Sequence, residues 1–356
     1  MISTQEQNVN SKQKDKKVIK CLVWDLDNTI WHGILLEDEK VSLRENIVNL
    51  IQTLDNRGIL QSIASKNEYA TAITKLEEFG LKEYFLYPQI NWNSKAASIK
   101  EVAKLLNIGM NAIAFIDDQL FELEEVKFTL PEILCINTDE ISSILDMPVM
   151  NPRFITEDSR IRRLMYVSDI ERQNAEKEFV GTADEFLATL NMNFTISFAK
   201  EEDLQRAEEL TLRTNQLNTT GYTYSYDELN HFRQSENHKL LIASLEDKYG
   251  SYGKIGLVLI ECQPKSWTVK LLLMSCRVMS RGVGTIMLNH IMGLAQSSNV
   301  RLLAEFVPND RNRMMYISYK FAGFKEIDQN GNSVTFENDL SRIQPVPSYV
   351  NFQVIT

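Results

Sequence analysis

Nothing in the chain marks it as extracellular, membrane-bound or nucleic-acid-binding. Basic residues do not dominate: 38 Lys and Arg stand against 48 Asp and Glu, a net charge of −10 at pH 7. A general nucleic-acid binder usually carries a basic footprint, so no nucleic-acid partner is expected. The four cysteines (Cys21, Cys135, Cys262, Cys276) are scattered and share no metal-ligand spacing. That argues against a disulfide framework and for the reduced thiols of a cytoplasmic protein. No apolar run approaches the length of a membrane span, so no membrane contact is expected. The start, MISTQEQNVNSKQKDKK, has no apolar signal-peptide core and reads as a disordered tail over 1–17. There is no internal repeat and no low-complexity segment.

The 356 residues, 44% hydrophobic and 24% charged, suit a globular protein long enough for two domains. Over 18–150, short apolar runs (VIKCLVWDL, ILQSIAS, NAIAFIDD) alternate with helical patterns over 45–57, 69–79 and 94–107. This is the α/β signature of a parallel sheet with right-handed crossovers. Ligands in such sheets bind at the carboxyl ends of the strands, where Asp25, Ser65 and Asp117 fall. The stretch 151–192 is charge-rich and helical, and reads as an exposed connector or interaction surface. An α+β unit follows over 193–340, and 341–356 reads as a C-terminal tail.

The run LVWDLDNTIW poses an electrostatic problem. Alternate residues on a strand face the same way, so Asp25 and Asp27 are expected in one small volume. Two carboxylates that close raise each other's pKa unless a cation or a shared proton intervenes. Asp25-Leu26-Asp27-Asn28-Thr29, Ser65, Lys95 and Asp117-Asp118 resemble the four motifs of the haloacid dehalogenase (HAD) superfamily, in order and on the right elements. The resemblance implies that Asp25 attacks phosphorus and that Asp27 serves as acid and then base. It also implies that Asp25, the Asp27 backbone carbonyl and Asp117, with Asp118 nearby, hold Mg²⁺, a hard cation that favours oxygen ligands. Thr29, Ser65, Lys66, Asn67 and Lys95 would then hold the phosphoryl group. Between the first motif and Ser65 there is no room for a large cap, and WHGILLED is expected to form a small flap. His32, alone there, is expected to be structural.

In the second half, Asn312, Tyr319 and Gly323-Phe324 resemble the closing motif of the GNAT acyltransferase fold. Gly282-Val283-Gly284 matches that fold's pyrophosphate loop, since free N–H groups at a helix start bind anions. The Gln or Arg usual three residues before the first glycine is Met279 here. Cys276 lies at a strand end beside Arg277 and Arg281, near a helix start. Those neighbours would favour a reactive thiolate, whereas a buried structural cysteine is the other reading.

The order of these parts, with WDLDNTIWHG, Arg213-Thr-Asn-Gln-Leu-Asn218 and Ser275-Cys276-Arg277-Val278, resembles the FkbH-like proteins of polyketide biosynthesis. That resemblance implies a glyceryl transferase and phosphatase. It would take the glyceryl unit of 1,3-bisphosphoglycerate onto Cys276, remove its phosphates, and load it on an acyl carrier protein. The carrier's phosphopantetheine arm would lie in a groove formed by Asn215, Gln216, Asn218, Arg277, Arg281, Gly282, Gly284, Asn312 and Tyr319. Arg160, Arg162 and Arg163 are candidates for docking the carrier. Two alternatives stand beside this: a phosphatase fused to an acetyl-CoA-dependent N-acetyltransferase, and a phosphatase fused to a silent carrier-binding module.

Overall fold

The computed structural model describes residues 18–355, so the expected tail over 1–17 lies outside the described residues. The chain divides into two compact units, one ending at Ile155 and the other beginning at Thr156. Among the described residues, no helix is long and apolar enough to cross a membrane.

In the first unit β1 (Cys21–Trp24) is central. A flap of β2 (Trp31–His32) and β3 (Ser42–Leu43) follows, then α1 (Ile47–Asn56), β4 (Leu60–Ser65), α2 (Tyr69–Glu78), β5 (Gln89–Ile90) and α3 (Lys95–Leu106). The unit ends with β6 (Ile113–Asp117), α4 (Leu120–Thr129) and β7 (Leu134–Asn137). The sheet order is β5-β4-β1-β6-β7, with every pairing parallel. Every residue of β1, β4 and β6 is buried, as expected of strands covered on both faces by helices. Helix α1 presents Ile47, Leu50, Ile51 and Leu54 to the sheet, the spacing of one helical stripe. Only the flap and α1 separate β1 from β4, so there is no large cap.

The second unit begins with α5 (Glu157–Arg160), α6 (Arg162–Glu178) and α7 (Ala183–Thr189). Next come β8 (Met192–Phe198), α8 (Leu204–Arg213), α9 (Tyr226–Gln234), β9 (His238–Asp247), β10 (Gly250–Cys262) and β11 (Ser266–Met274). The rest is α10 (Val283–Ser297), β12 (Arg301–Phe306), α11 (Arg313–Phe321), β13 (Lys325–Asn330), β14 (Ser333–Asn338) and β15 (Val350–Ile355). One mixed sheet, β13-β14-β12-β11-β10-β9-β8-β15, organises it. The alternation of its strands makes two cores. Leu240, Ile242, Leu257 and Leu259 face α8 and α9, whereas Leu241, Ala243, Val258 and Ile260 face α10 and α11.

Two expectations are corrected. The 151–192 connector belongs to the second unit from Thr156 onward: Arg172 of α6 is fully buried and grips Asp247 with Nε 2.7 Å from Oδ2 and Nη2 2.8 Å from Oδ1. Its charges misled because several are inward-facing and paired. The tail over 341–356 contains β15, which pairs in parallel with β8 from Val350↔Met192 to Ile355↔Ser197. A six-residue edge strand carries too little pattern to stand out.

Candidate active site

The carboxyl ends of β1, β4 and β6 bring the acids and Lys95 together. Lys95 opens α3, with Ser94 capping that helix by accepting from Ala97 N. Its side chain is therefore aimed from a helix start rather than a loop. Lys95 Nζ contacts Asp25 Oδ1 and lies 3.1 Å from Asp117 Oδ2. Asp25, Lys95 and Asp117 are all buried. Burial alone would lower the Lys95 pKa, but the charges of Asp25 and Asp117 outweigh it and raise it. Burial and then the Asp25 charge push Asp117 up to about 7, and the same two causes raise Asp118.

One ligand oxygen each from Asp25, Asp117 and Asp118 lie within 4.8 Å of one another. Asp118 Oδ1 is buried without a hydrogen-bond partner. Such an all-oxygen set with an orphaned carboxylate atom fits Mg²⁺.

The Asp27 side chain is not part of the Asp25–Asp117–Asp118 cluster. The strand ends at Trp24, so its alternation no longer governs the two acids. Asp27 Oδ1 accepts from Trp31 Nε1 at 2.8 Å and from Leu35 N at 3.1 Å, while Oδ2 accepts from Asn67 Nδ2 at 2.9 Å. Burial raises the Asp27 pKa against those hydrogen bonds, and the nearby Asp25 charge adds to the rise. The flap thus supplies two of the three donors that hold Asp27, and its side chain stands outside the three-acid cluster. Arg44 pins the turn by donating to Asn28 O at 2.6 Å and Thr29 O at 3.1 Å.

The other expected phosphate residues divide. Ser65 and Thr29 are buried at the same end of the sheet, and Thr29 Oγ1 has no hydrogen-bond partner. Lys66 is turned to Glu122, 2.5 Å away, and Asn67 positions Asp27. Glu122 was not legible in sequence, because α4 shows no sharp apolar face.

In the second unit, β11 and β12 run in parallel only as far as Val269↔Ala304. Beyond that point the chain's own Leu217–Thr219 occupies the gap. Met274 N donates to Leu217 O at 2.8 Å, Thr219 N to Leu272 O at 3.1 Å, and Val307 N to Thr219 O at 3.0 Å. Asn312 Nδ2 locks this insert by donating to Asn218 O at 3.0 Å and Val307 O at 2.9 Å. Asn218 caps its own turn by accepting from Gly221 N at 2.9 Å.

Beside the insert lies a cavity of about 600 Å³. Its walls include Leu217, Met274, Val278, Gly282, Gly284 and Phe321, and Arg342 and Gln344 reach it from the segment before β15. Gly282 has φ +74°, and a Cβ there would stand 2.8 Å from Tyr349 Oη.

Of the expected groove residues, Gly282 and Gly284 line this cavity. Asn218, Asn312 and Tyr319 are fully buried framework instead. Tyr319 packs on Phe324 and Phe336, and burial drives its pKa upward. Asn215 is exposed and Gln216 half-buried, outside the cavity wall. Cys276 sits half-buried on a single turn (Cys276–Val278) between the wall residues Met274 and Val278. Arg277 donates to Tyr252 O at 2.7 Å, and buried Arg281 lies 3.4 Å from Glu176. Arg162 is buried against Glu209 at 2.5 Å, which removes it from the expected docking patch with Arg160 and Arg163.

Residues 3–127 match the family of haloacid dehalogenase-like hydrolases. No curated protein matches the chain. Among solved structures, the chain is similar to the N-terminal part of BF1531 from Bacteroides fragilis, containing a phosphatase domain complexed with Mg. There the identity is 28% over 38% of this chain and 41% of that one, with a TM-score of 0.34. It is also similar to the ribosomal-protein-S18-alanine N-acetyltransferase of Escherichia coli (16% identity, 42% and 95% covered, TM-score 0.33). The GNAT domain of S. lividans PAT is a third (18% identity, 40% and 88% covered, TM-score 0.33). The first unit thus holds the stretch that matches the haloacid dehalogenase-like hydrolases, and the second is a separate α+β unit built on one mixed sheet.

Proposed function

We propose that the protein is a bifunctional glyceryl transferase and phosphatase that loads an acyl carrier protein in the cytoplasm. The Cys276 thiolate attacks the acyl carbon of 1,3-bisphosphoglycerate. The S–C bond forms, the C–O bond to phosphate breaks, and the electron pair leaves on phosphate. Asp25 then attacks the phosphorus of the remaining 3-phosphate while Asp27 gives its proton to the departing oxygen. Water cleaves the resulting aspartyl-phosphate with Asp27 accepting the proton. The phosphopantetheine thiol finally takes the glyceryl group from Cys276. When bound, Mg²⁺ would be held by Asp25, Asp117, Asp118 and the Asp27 backbone carbonyl, and would supply charge neutralisation at the phosphate. Lys95 supplies a fixed cation at the same place.

The observation that carries this reading is the position of Cys276. It stands on the turn between two wall residues of the cavity, in a chain whose other unit gathers Asp25, Asp117, Asp118 and Lys95. Intact-mass spectrometry with 1,3-bisphosphoglycerate tests it. A glyceryl adduct is expected on the wild type and none on Cys276→Ala, while Asp25→Asn keeps a phosphoglyceryl adduct. Normal carrier loading by Cys276→Ala removes the covalent cysteine. An acetylated amine formed from acetyl-CoA replaces the reading with an N-acetyltransferase.

A further inference from the structure

The cavity beside the Leu217–Thr219 insert is bounded by β11 on one side and by α10 and α11 on the others. A chain-like ligand in such a place gains most from a free strand edge, where successive N–H and C=O groups can pair with it. Here that edge is already used. Thr219 N donates to Leu272 O, Met274 N donates to Leu217 O, and Leu272 N donates to Thr219 Oγ1 at 3.0 Å. The β11 wall is left with the apolar side chains of Leu272 and Met274.

The α10 wall has a donor to spare. Asn289 lines the cavity and is only 9% exposed. Its Nδ2 is buried and has no hydrogen-bond partner among the described residues. An amide left in that state is costly, because it has lost its water and gained nothing in return. The helix places Met287 and Leu288 directly before it, and a side chain of that kind would fill the position without the penalty. The spare donor therefore points to an acceptor that arrives with a ligand. Arg342 lines the same cavity and is exposed, so it stands on the solvent side. It belongs to the segment before β15, which the pairing of β15 with β8 holds in place. Gly282 and Gly284 open α10 on this wall, where the unpaired N–H groups of a helix start add partial positive charge. The cavity thus has an apolar body, one hydrogen-bond donor inside and positive charge towards solvent.

We infer that Asn289 and Arg342 recognise the phosphopantetheine arm, with Asn289 Nδ2 donating to an amide carbonyl of the arm and Arg342 pairing with its phosphate. The arm then lies along α10, not along the edge of β11. Its slender chain, amide carbonyls and terminal phosphate match the three features of the cavity in turn. The identity of the arm rests on the proposed carrier chemistry. Cys276, on the turn between the wall residues Met274 and Val278, borders the same cavity.

Calorimetric titration of the full chain with 4′-phosphopantetheine tests the site. Asn289→Leu removes the donor and keeps a side chain of similar size. It is expected to weaken binding by about tenfold. It should also raise the Tm of the ligand-free protein by about 2–4 °C, since a buried unpaired amide is gone. An asparagine that serves only the fold would give a lower Tm and unchanged affinity, which overturns its assignment. Arg342→Gln should weaken 4′-phosphopantetheine by about tenfold, with no such loss for pantetheine, which lacks the phosphate. Arg342 is exposed, so this variant tests the site even if Asn289→Leu does not fold. No binding to the wild type, or equal affinity in the wild type and both variants, overturns the site. Weaker binding in the variants, with no acyl adduct on wild-type Cys276, keeps the site and removes the proposed function. Both variants should also slow transfer of the glyceryl group to the carrier. If they weaken coenzyme A, which carries the same arm, and transfer to the carrier is unchanged, the arm is the coenzyme's and the carrier assignment is overturned.

Discussion

Replacing Lys95 with Met tests whether the phosphoryl-transfer site is held by one cation between two acids. Lys95 Nζ contacts Asp25 and stands 3.1 Å from Asp117, and all three side chains are under a tenth exposed. At an effective dielectric constant of about 20, a pair at that separation attracts by roughly 5 kcal/mol. Desolvation offsets part of this attraction, and removing one partner of a buried pair costs about 3–5 kcal/mol. For a unit of this size the loss corresponds to a fall in Tm of about 10 °C. Thermal unfolding followed by circular dichroism in EDTA measures it. The double variant Lys95→Met/Asp25→Asn should recover much of the loss, since it removes the unbalanced charge along with the cation. A coupling energy below about 0.5 kcal/mol in that cycle would refute the reasoning, because it would mean the two groups act independently. In Mg²⁺, Lys95→Met should also release phosphate from a small phosphate ester about 100-fold more slowly.

Further outcomes follow from the geometry of the two units. Adding Mg²⁺ in excess over its Kd should raise the Tm of the wild type, and Asp117→Asn should abolish that rise in differential scanning fluorimetry. The acid Asp27 must hold its proton, and burial raises its folded pKa, so kcat/KM should fall on the alkaline side as pH rises through that value, while protonation of Asp117, whose pKa is also raised, sets an acid limb. The Trp31 hydrogen bond lowers the Asp27 pKa, so Trp31→Phe should move the alkaline limb to higher pH in the pH–rate profile. Arg172→Met leaves Asp247 buried without its countercharge, held only by Tyr249 N and Tyr252 Oη, and urea unfolding of the second unit should lose about 3 kcal/mol. Gly282→Ala puts a side chain at φ +74° and against Tyr349. It should cost about 1 kcal/mol or more, part of it recovered by Tyr349→Phe in denaturant titration.

The first unit was legible because its signals are local and periodic. Fully buried strands read as apolar runs, and each ends at, or runs directly into, an acid or a serine whose place at the sheet edge follows from the fold. What sequence could not supply was how Asp27 is held. That depends on the flap, whose Trp31 and Leu35 donate to Asp27 Oδ1. The second unit was less legible for the same physical reason. Asn218, Asn312 and Tyr319 match a motif, yet long-range packing around the Leu217–Thr219 insert makes them framework. Arg162 reads as a surface charge among neighbours of its kind, and only its contact with Glu209, 47 residues away, reveals it as buried.

The pairing of β15 with β8 sets how the second unit must come together. Asn351 meets Asn193 across 158 residues of chain, so the sheet's edge is sealed by its two ends. Closing such a loop carries an entropy cost that local helices cannot offset early. The first unit needs only crossovers of modest length. The two halves should therefore mature on different clocks, with the phosphoryl-transfer site assembled while the edge of β8 still waits for its last neighbour.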